Sequence, residues 1–270
     1  MPRFRFPKHP LREIQDIFGV QENNPRDVVL VSLDLEVNRN HPQWNRWNEI
    51  SQIGVSFFDT RSLSSPYPAS PQLDTQHFII GGHKRLAHPR TKFYFGNSQH
   101  IINQKDVNKA IRDLLQIPDE TSPGNYRDVI LLAHGLSTDL AVCAKRGLVL
   151  EDLATIVGLL DTTYLATEVL GMRFQLVYLL RILGLPFQEV HNAGNDANYA
   201  LRVLLVLSYY GLKPDLVGRC DTLEYFKALG FNPLPDTTRR NAKLRSLKLR
   251  CADYTLHALE TGSLTFFEGF

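Results

Sequence analysis

Cysteine is scarce in this 270-residue chain: Cys143, Cys220 and Cys251 are odd in number, far apart and never in a C-x-x-C pair. That argues against a disulfide framework and a structural zinc site, and it fits a reducing compartment. Long apolar runs are missing too. Nothing approaches the ~18 consecutive apolar residues of a membrane span, and residues 1–10 (MPRFRFPKHP) lack the apolar core of a secretion signal. The expectation is a soluble intracellular protein, cytoplasmic or nuclear, with no membrane partner. Net charge is small, 30 Lys and Arg against 28 Asp and Glu for a formal +2, so any affinity for a polyanion must be local. There is no G-x-x-x-x-G-K-[ST] phosphate loop and no internal repeat.

What is present is enough apolar residue, 43%, to bury a substantial core. Residues 27–33 (DVVLVSL) form a short, β-branched, almost wholly apolar run, as expected of a central strand covered on both faces. Residues 50–58 and 77–80 read as the next strands, and helical spacing begins at Val107, Ala110, Ile111 and Leu114 behind Asp106 as a cap. Residues 129–133 (VILLA) are a buried strand, 139–146 a helix, and 154–160 a helix turning into strand. A Leu stripe over 176–183 stops at Gly184 and Pro186, and a last helix spans about 195–210, closed by Gly211. Strands first and then alternation with helices predict an α/β fold, its central mixed sheet flanked by helices on both faces. The predicted organisation is a basic, aromatic N-terminal extension over 1–26, one domain over 27–212, and a C-terminal extension over 213–270 with the basic segment 239–250 (RRNAKLRSLKLR).

Asp34 and Glu36 follow the first apolar run directly, and alternate residues of an extended chain share a face. Two carboxylates so placed repel and lose hydration unless a cation sits between them, and hard oxygen donors favour magnesium or manganese. A solvated strand end is the plain alternative. Asp139 comes five residues after His134, which ends the VILLA strand; it is either a further acid of the same group or a carboxylate favoured by a helix N-terminus. The turn His191-Asn192-Ala193-Gly194-Asn195-Asp196 leads into an apolar helix whose inward face Asp196 shares with Ala200, Val203 and Leu204. His191 reads alone as an ordinary loop histidine.

Together, Asp34-x-Glu36, Asp139 behind His134, and His191 with Asp196 resemble the three motifs of the DEDDh family of 3′-to-5′ exonucleases, whose fold is ribonuclease H-like. The resemblance covers about residues 27–211, and Asn192 stands where the Tyr-type sister class would place Tyr. Ile53-Gly54-Val55 and Asp161-Thr162 support it. The pairing of FGNS (residues 95–98) with HNAGNDA (residues 191–197) is similar to a fungal group of these domains linked to messenger RNA export and small-RNA silencing. Departures are Val37, Asn38 and Arg39 after the D-x-E, where Thr and Gly are usual, and Gln52, where many members carry an acid.

The resemblance implies two magnesium or manganese ions held by Asp34, Glu36, Asp139 and Asp196, with His191 taking the proton of the attacking water. It also implies a substrate with a single-stranded RNA or DNA 3′ end. Further substrate contacts are expected at Asn38, Trp44, Trp47, His134, Arg239, Arg240, Lys243 and Arg245: the tryptophans by stacking, with ordinary packing as the alternative, and the cations on phosphates, with a solvated basic face as the alternative. The basic run 3–12 is a second phosphate-contacting candidate. The competing class is a catalytically silent nucleic-acid-binding or adaptor module on the same scaffold.

Overall fold

The computed structural model describes residues 4–19, 24–37, 49–63, 67, 72–81, 92–101, 103–212 and 220–234. Strands β1 (Val29–Val37), β2 (Ile50–Asp59), β3 (Asp74–Ile80), β4 (Gln99–Ile101), β5 (Val129–Ala133) and β6 (Ile156–Asp161) form one sheet in the order β4-β3-β2-β1-β5-β6. β1–β2 and β2–β3 pair antiparallel, while β1–β5, β5–β6 and β3–β4 pair parallel. The sheet is therefore mixed, as expected.

Strand alternation sorts the central residues between two cores. Leu30, Ile130 and Leu132 pack with helices α1 (Pro10–Ile17), α4 (Thr162–Leu170), α5 (Leu176–Ile182), α6 (Ala193–Leu212) and α7 (Cys220–Phe231). Val29, Val31, Leu33, Val129, Leu131 and Ala133 pack with α2 (Val107–Leu115) and α3 (Leu136–Lys145). Helices thus cover both faces, and Asp34 and Glu36, in phase with Leu30, lie on the α6 side.

Several boundaries differ from the sequence reading. The first strand continues past its apolar run to Val37, because β2 goes on pairing with it (Asp34 opposite Gly54, Glu36 opposite Gln52) after β5 has stopped at Ser32. Asp34 and Glu36 therefore sit inside a strand and not beyond its end. Residues 154–160 are not helical: a 3-10 turn over Leu150–Asp152 precedes β6, which pairs with β5. Asp106 precedes α2 with helical φ and ψ and makes no side-chain cap bond. α3 starts at Leu136, after Gly135 in the left-handed region (φ 91°).

Gly211 does not end α6, which runs to Leu212; a Cβ at Gly211 would meet Leu11 Cδ1 of α1 at 2.7 Å, so the absence of a side chain lets α1 approach there. α6 is buried along nearly its whole length and on every side, since the sheet covers one side and α4 and α7 cover others. The N-terminal segment is also part of this packing. Ile14, Ile17 and Phe18 are fully buried, with Phe18 against Phe226 of α7 (centroids 4.4 Å apart). Among the described residues no helix is long and apolar enough to cross a membrane.

Candidate metal centre

The acids converge because three elements end at the same edge of the sheet. β1 carries Asp34 and Glu36. The first turn of α3 carries Asp139, whose Oδ1 accepts the backbone N–H of Leu35 at 3.1 Å, so it is tied to the residue between the two β1 acids. Buried Asp161 fixes that turn, accepting from Gly135 N (3.0 Å) and Leu136 N (2.9 Å) of α3 and from Thr163 N (2.8 Å) of α4.

Asp196 stands in the first turn of α6. Its Oδ2 accepts the N–H of His191 at 2.7 Å, while its Oδ1 is buried with no hydrogen-bond partner among the described residues. His191 itself is held at φ 68°, an uncommon backbone state for a non-glycine residue. Its imidazole is exposed, with Nδ1 3.8 Å from Glu36 Oε1. Ligand atoms of Glu36, His191 and Asp196 all lie within 4.8 Å of one another.

Crowding four carboxylates has an electrostatic consequence. Burial first, then the charges of Asp139, Asp196 and Glu36, raise Asp34 well above the usual carboxylate range. Burial likewise pushes Asp139 up to about 8, aided by Asp161 and Glu36 and opposed by the Leu35 N–H. It pushes Asp196 up to about 7, aided by Glu36 and opposed by the His191 N–H. Such a set lowers its free energy by taking up protons or a cation. The residues fit a divalent cation: all four acids offer hard oxygen donors, and Asp196 Oδ1 is an acceptor still lacking a donor.

The start of α6 is positioned by residues to which sequence reasoning assigned no structural work. Asn192 caps the helix, its Oδ1 accepting from Asn195 N at 3.1 Å. Asn195 clasps residues 92–94 to this turn, accepting from Tyr94 N (3.0 Å) and donating to the carbonyls of Lys92 (3.0 Å) and Glu189 (3.2 Å). Gln52 Oε1 accepts the N–H of Ala193 at 3.1 Å and also faces His77 Nε2 at 3.0 Å. An amide N–H can only donate, so that Gln52 atom is the oxygen, and His77 must carry its proton on Nε2. Nδ1 then accepts from Ser98 Oγ at 2.8 Å. Burial, and secondarily His100, pushes His77 down to about 4, so the ring is neutral in this relay. The signal for Asn192 and Asn195 lay inside the HNAGNDA stretch; His77, in an apolar strand, gave none.

Of the expected substrate contacts, His134 is placed differently. Its Nε2 donates to the Phe174 carbonyl (3.0 Å) and its Nδ1 accepts from Thr162 Oγ1 (2.9 Å), so neither ring nitrogen is open to a phosphate in this arrangement. Asn38, Trp44, Trp47, Arg239, Arg240, Lys243 and Arg245 lie outside the described residues.

The mixed six-stranded sheet with helices on both faces is the ribonuclease H-like fold of DEDDh exonucleases. The family model described as DNA polymerase III subunit epsilon-like, C-terminal domain, of the DEDDh class, matches residues 29–207, and the chain belongs to that family. A search of curated proteins returned no match. The family generally uses divalent metals and acts on nucleic acid.

Proposed function

We propose that this chain is a metal-dependent 3′-to-5′ exonuclease that hydrolyses phosphodiester bonds at the end of a single-stranded RNA or DNA. The observation that supports this reading above others is the grouping of Asp34, Asp139 and Asp196, whose carboxyls have raised proton affinities, with the nearby charge of Glu36 and with Asp196 Oδ1, an acceptor that has no donor among the described residues. Those four residues would hold two magnesium or manganese ions. Bound there, the metals supply Lewis acidity for an attacking water and for the leaving 3′ oxygen.

The chain's own groups do the rest. His191 sits on a loop whose backbone is pinned to Asp196, and its ring stands beside Glu36. In this reading it takes the proton of a water held in the cleft, with Glu36 stabilising the imidazolium that results. The 4.8 Å grouping of Glu36, His191 and Asp196 also favours a second role for His191, as a ligand. The narrower likeness to fungal domains of messenger RNA export and small-RNA silencing rests on residues 95–98 and 191–197. Those stretches lie close together, through Tyr94 N on Asn195 and Phe95 against Tyr199.

The test is degradation of 5′-labelled RNA and DNA oligonucleotides by the purified chain, with magnesium, with manganese and with a chelator. A ladder that shortens from the 3′ end only when metal is present supports the reading, and a blocked 3′ hydroxyl should protect the substrate. No metal-dependent loss from either polymer would overturn it. Equal cutting of a circular strand would make the chain an endonuclease.

A further inference from the structure

We propose that the outer face of α4 and α5, with the basic N-terminal segment laid against it, carries the backbone of the nucleic-acid strand whose 3′ end enters the carboxylate cleft. This rests on the exonuclease reading above.

Position is the first argument. His134 joins the end of β5 to the Phe174 carbonyl, which pins the α4–α5 turn to the edge of the sheet where Asp34 and Asp139 sit. From that turn α5 runs into the loop that carries His191. The face is therefore continuous with the cleft.

Composition is the second. From Val169 to Gln188 the chain has Arg173 and Arg181 and no acid, and from Phe4 to Arg12 it has Arg5, Lys8 and Arg12 and no acid. The structure brings the two stretches together: the Phe6 ring lies 5.4 Å from that of Tyr164, and the Arg173 guanidinium lies 4.9 Å above the same Tyr164 ring. Glu168, the nearby acid of α4, already accepts the Leu11 N–H and faces His9. At the other end of the sheet the pattern is opposite, since Arg61 and Arg127 are both saturated by Asp27, Asp59 and Asp119. Among the described residues none of Arg5, Lys8, Arg173 and Arg181 forms an ion pair, so this face has cations to offer.

The third argument is the kind of surface. Arg181 lies 5.7 Å from the ring of Tyr178, which is 51% exposed, and Met172 beside Arg173 is 45% exposed. A guanidinium over a ring keeps its N–H edge free for phosphate, and an open ring accepts a base. Acidic protein or lipid needs the charge alone; interleaved rings at the mouth of a phosphodiester site fit a single strand.

The experiment uses the full chain carrying Asp34→Ala, so that substrate is bound without being cut, and reads fluorescence anisotropy of a labelled single-stranded oligonucleotide across a salt series. Adding Arg5→Ala, Arg173→Ala and Arg181→Ala should make the slope of log affinity against log salt shallower by about 2, at ~0.7 per lost phosphate contact. Tyr178→Ala should weaken binding roughly five- to 150-fold. Unchanged slope and affinity in the triple variant, with an unaltered thermal midpoint, overturns the proposal. So does a shallower slope with no effect of Tyr178→Ala and retention of the chain on anionic vesicles, which would assign the face to a lipid surface. Because nothing is cut in this assay, failure of the exonuclease reading shows separately, as absence of metal-dependent degradation by the unsubstituted chain.

Discussion

The two oxygens of Asp196 have different fates, and that difference gives the first prediction. Oδ2 is satisfied by the His191 N–H, whereas Oδ1 lies buried among like charges. Asp196→Asn or Asp34→Ala should abolish metal-dependent hydrolysis and at the same time raise the urea midpoint of the metal-free protein, since a buried charge is removed. Retained hydrolysis in the double variant would refute the assignment. His191→Ala should lower turnover by roughly 10² to 10⁴ while calorimetry still detects metal binding; loss of metal as complete as in Asp196→Asn would make His191 a ligand. The raised carboxyls also set a pH dependence. Folded Asp196 and Asp139 keep protons to about 7 and about 8, where unfolded carboxyls near ~3.9 have lost them. The folded state therefore binds more protons, so in chelator stability falls as pH rises from about 4 through 8. Urea unfolding across that range checks the sign, and Asp139→Asn should flatten the decline. At this scale the sequence showed the charged residues well, because an acid beside an apolar run is conspicuous. It hid the work of Gln52, His77 and Asn195, which depends on partners far away in the chain.

Between elements, β2 and the start of α6 approach closely at Gly54. A Cβ on Gly54 would stand 1.8 Å from the Ala193 carbonyl oxygen, which is backbone and cannot swing aside. Gly54→Ala should cost about 1–3 kcal/mol in denaturant unfolding, and by shifting α6 it should also reduce turnover per folded molecule. Gln52 makes a gentler probe of the same contact. Gln52→Leu strands the Ala193 N–H and should cost about 1–3 kcal/mol, whereas Gln52→Glu keeps an acceptor for both Ala193 and His77 and should restore stability. Equal losses in the two variants would show that volume and not hydrogen bonding matters there. Element types were mostly legible, because burial on both faces leaves an uninterrupted apolar run. Ends were less so. β1 reaches Val37 only because a neighbouring strand continues to pair with it, and a polar residue such as Glu36 carries no local sign of that.

Across the described residues, the parts of the two extensions that are described, 4–19 and 220–234, pack on the domain. Phe18 of the N-terminal segment, Phe58 of β2 and Phe226 of α7 form one aromatic cluster, and Arg202 of α6 donates to the carbonyls of Gly230 and Asn232 at the end of α7. Phe226→Ala should cost about 3–5 kcal/mol, and a chain trimmed to 27–212 should expose this cluster and aggregate, as light scattering would detect. A trimmed chain that stays monomeric with an unchanged midpoint would contradict this packing. The fold class was legible from the order of strands and helices. The role of the two ends was not, since no periodicity in residues 10–18 or 220–231 tells what lies opposite them.

The acids of the centre arise from β1, α3 and α6, in that order along the chain. A polypeptide leaving the ribosome has Asp34 and Glu36 long before it has Asp196, and Phe226, which helps seat α6, comes later still. Pairings between such distant segments close slowly. The four acids can therefore be grouped only after the chain from β1 through α6 has been made, and the start of α6 is the piece that completes the group.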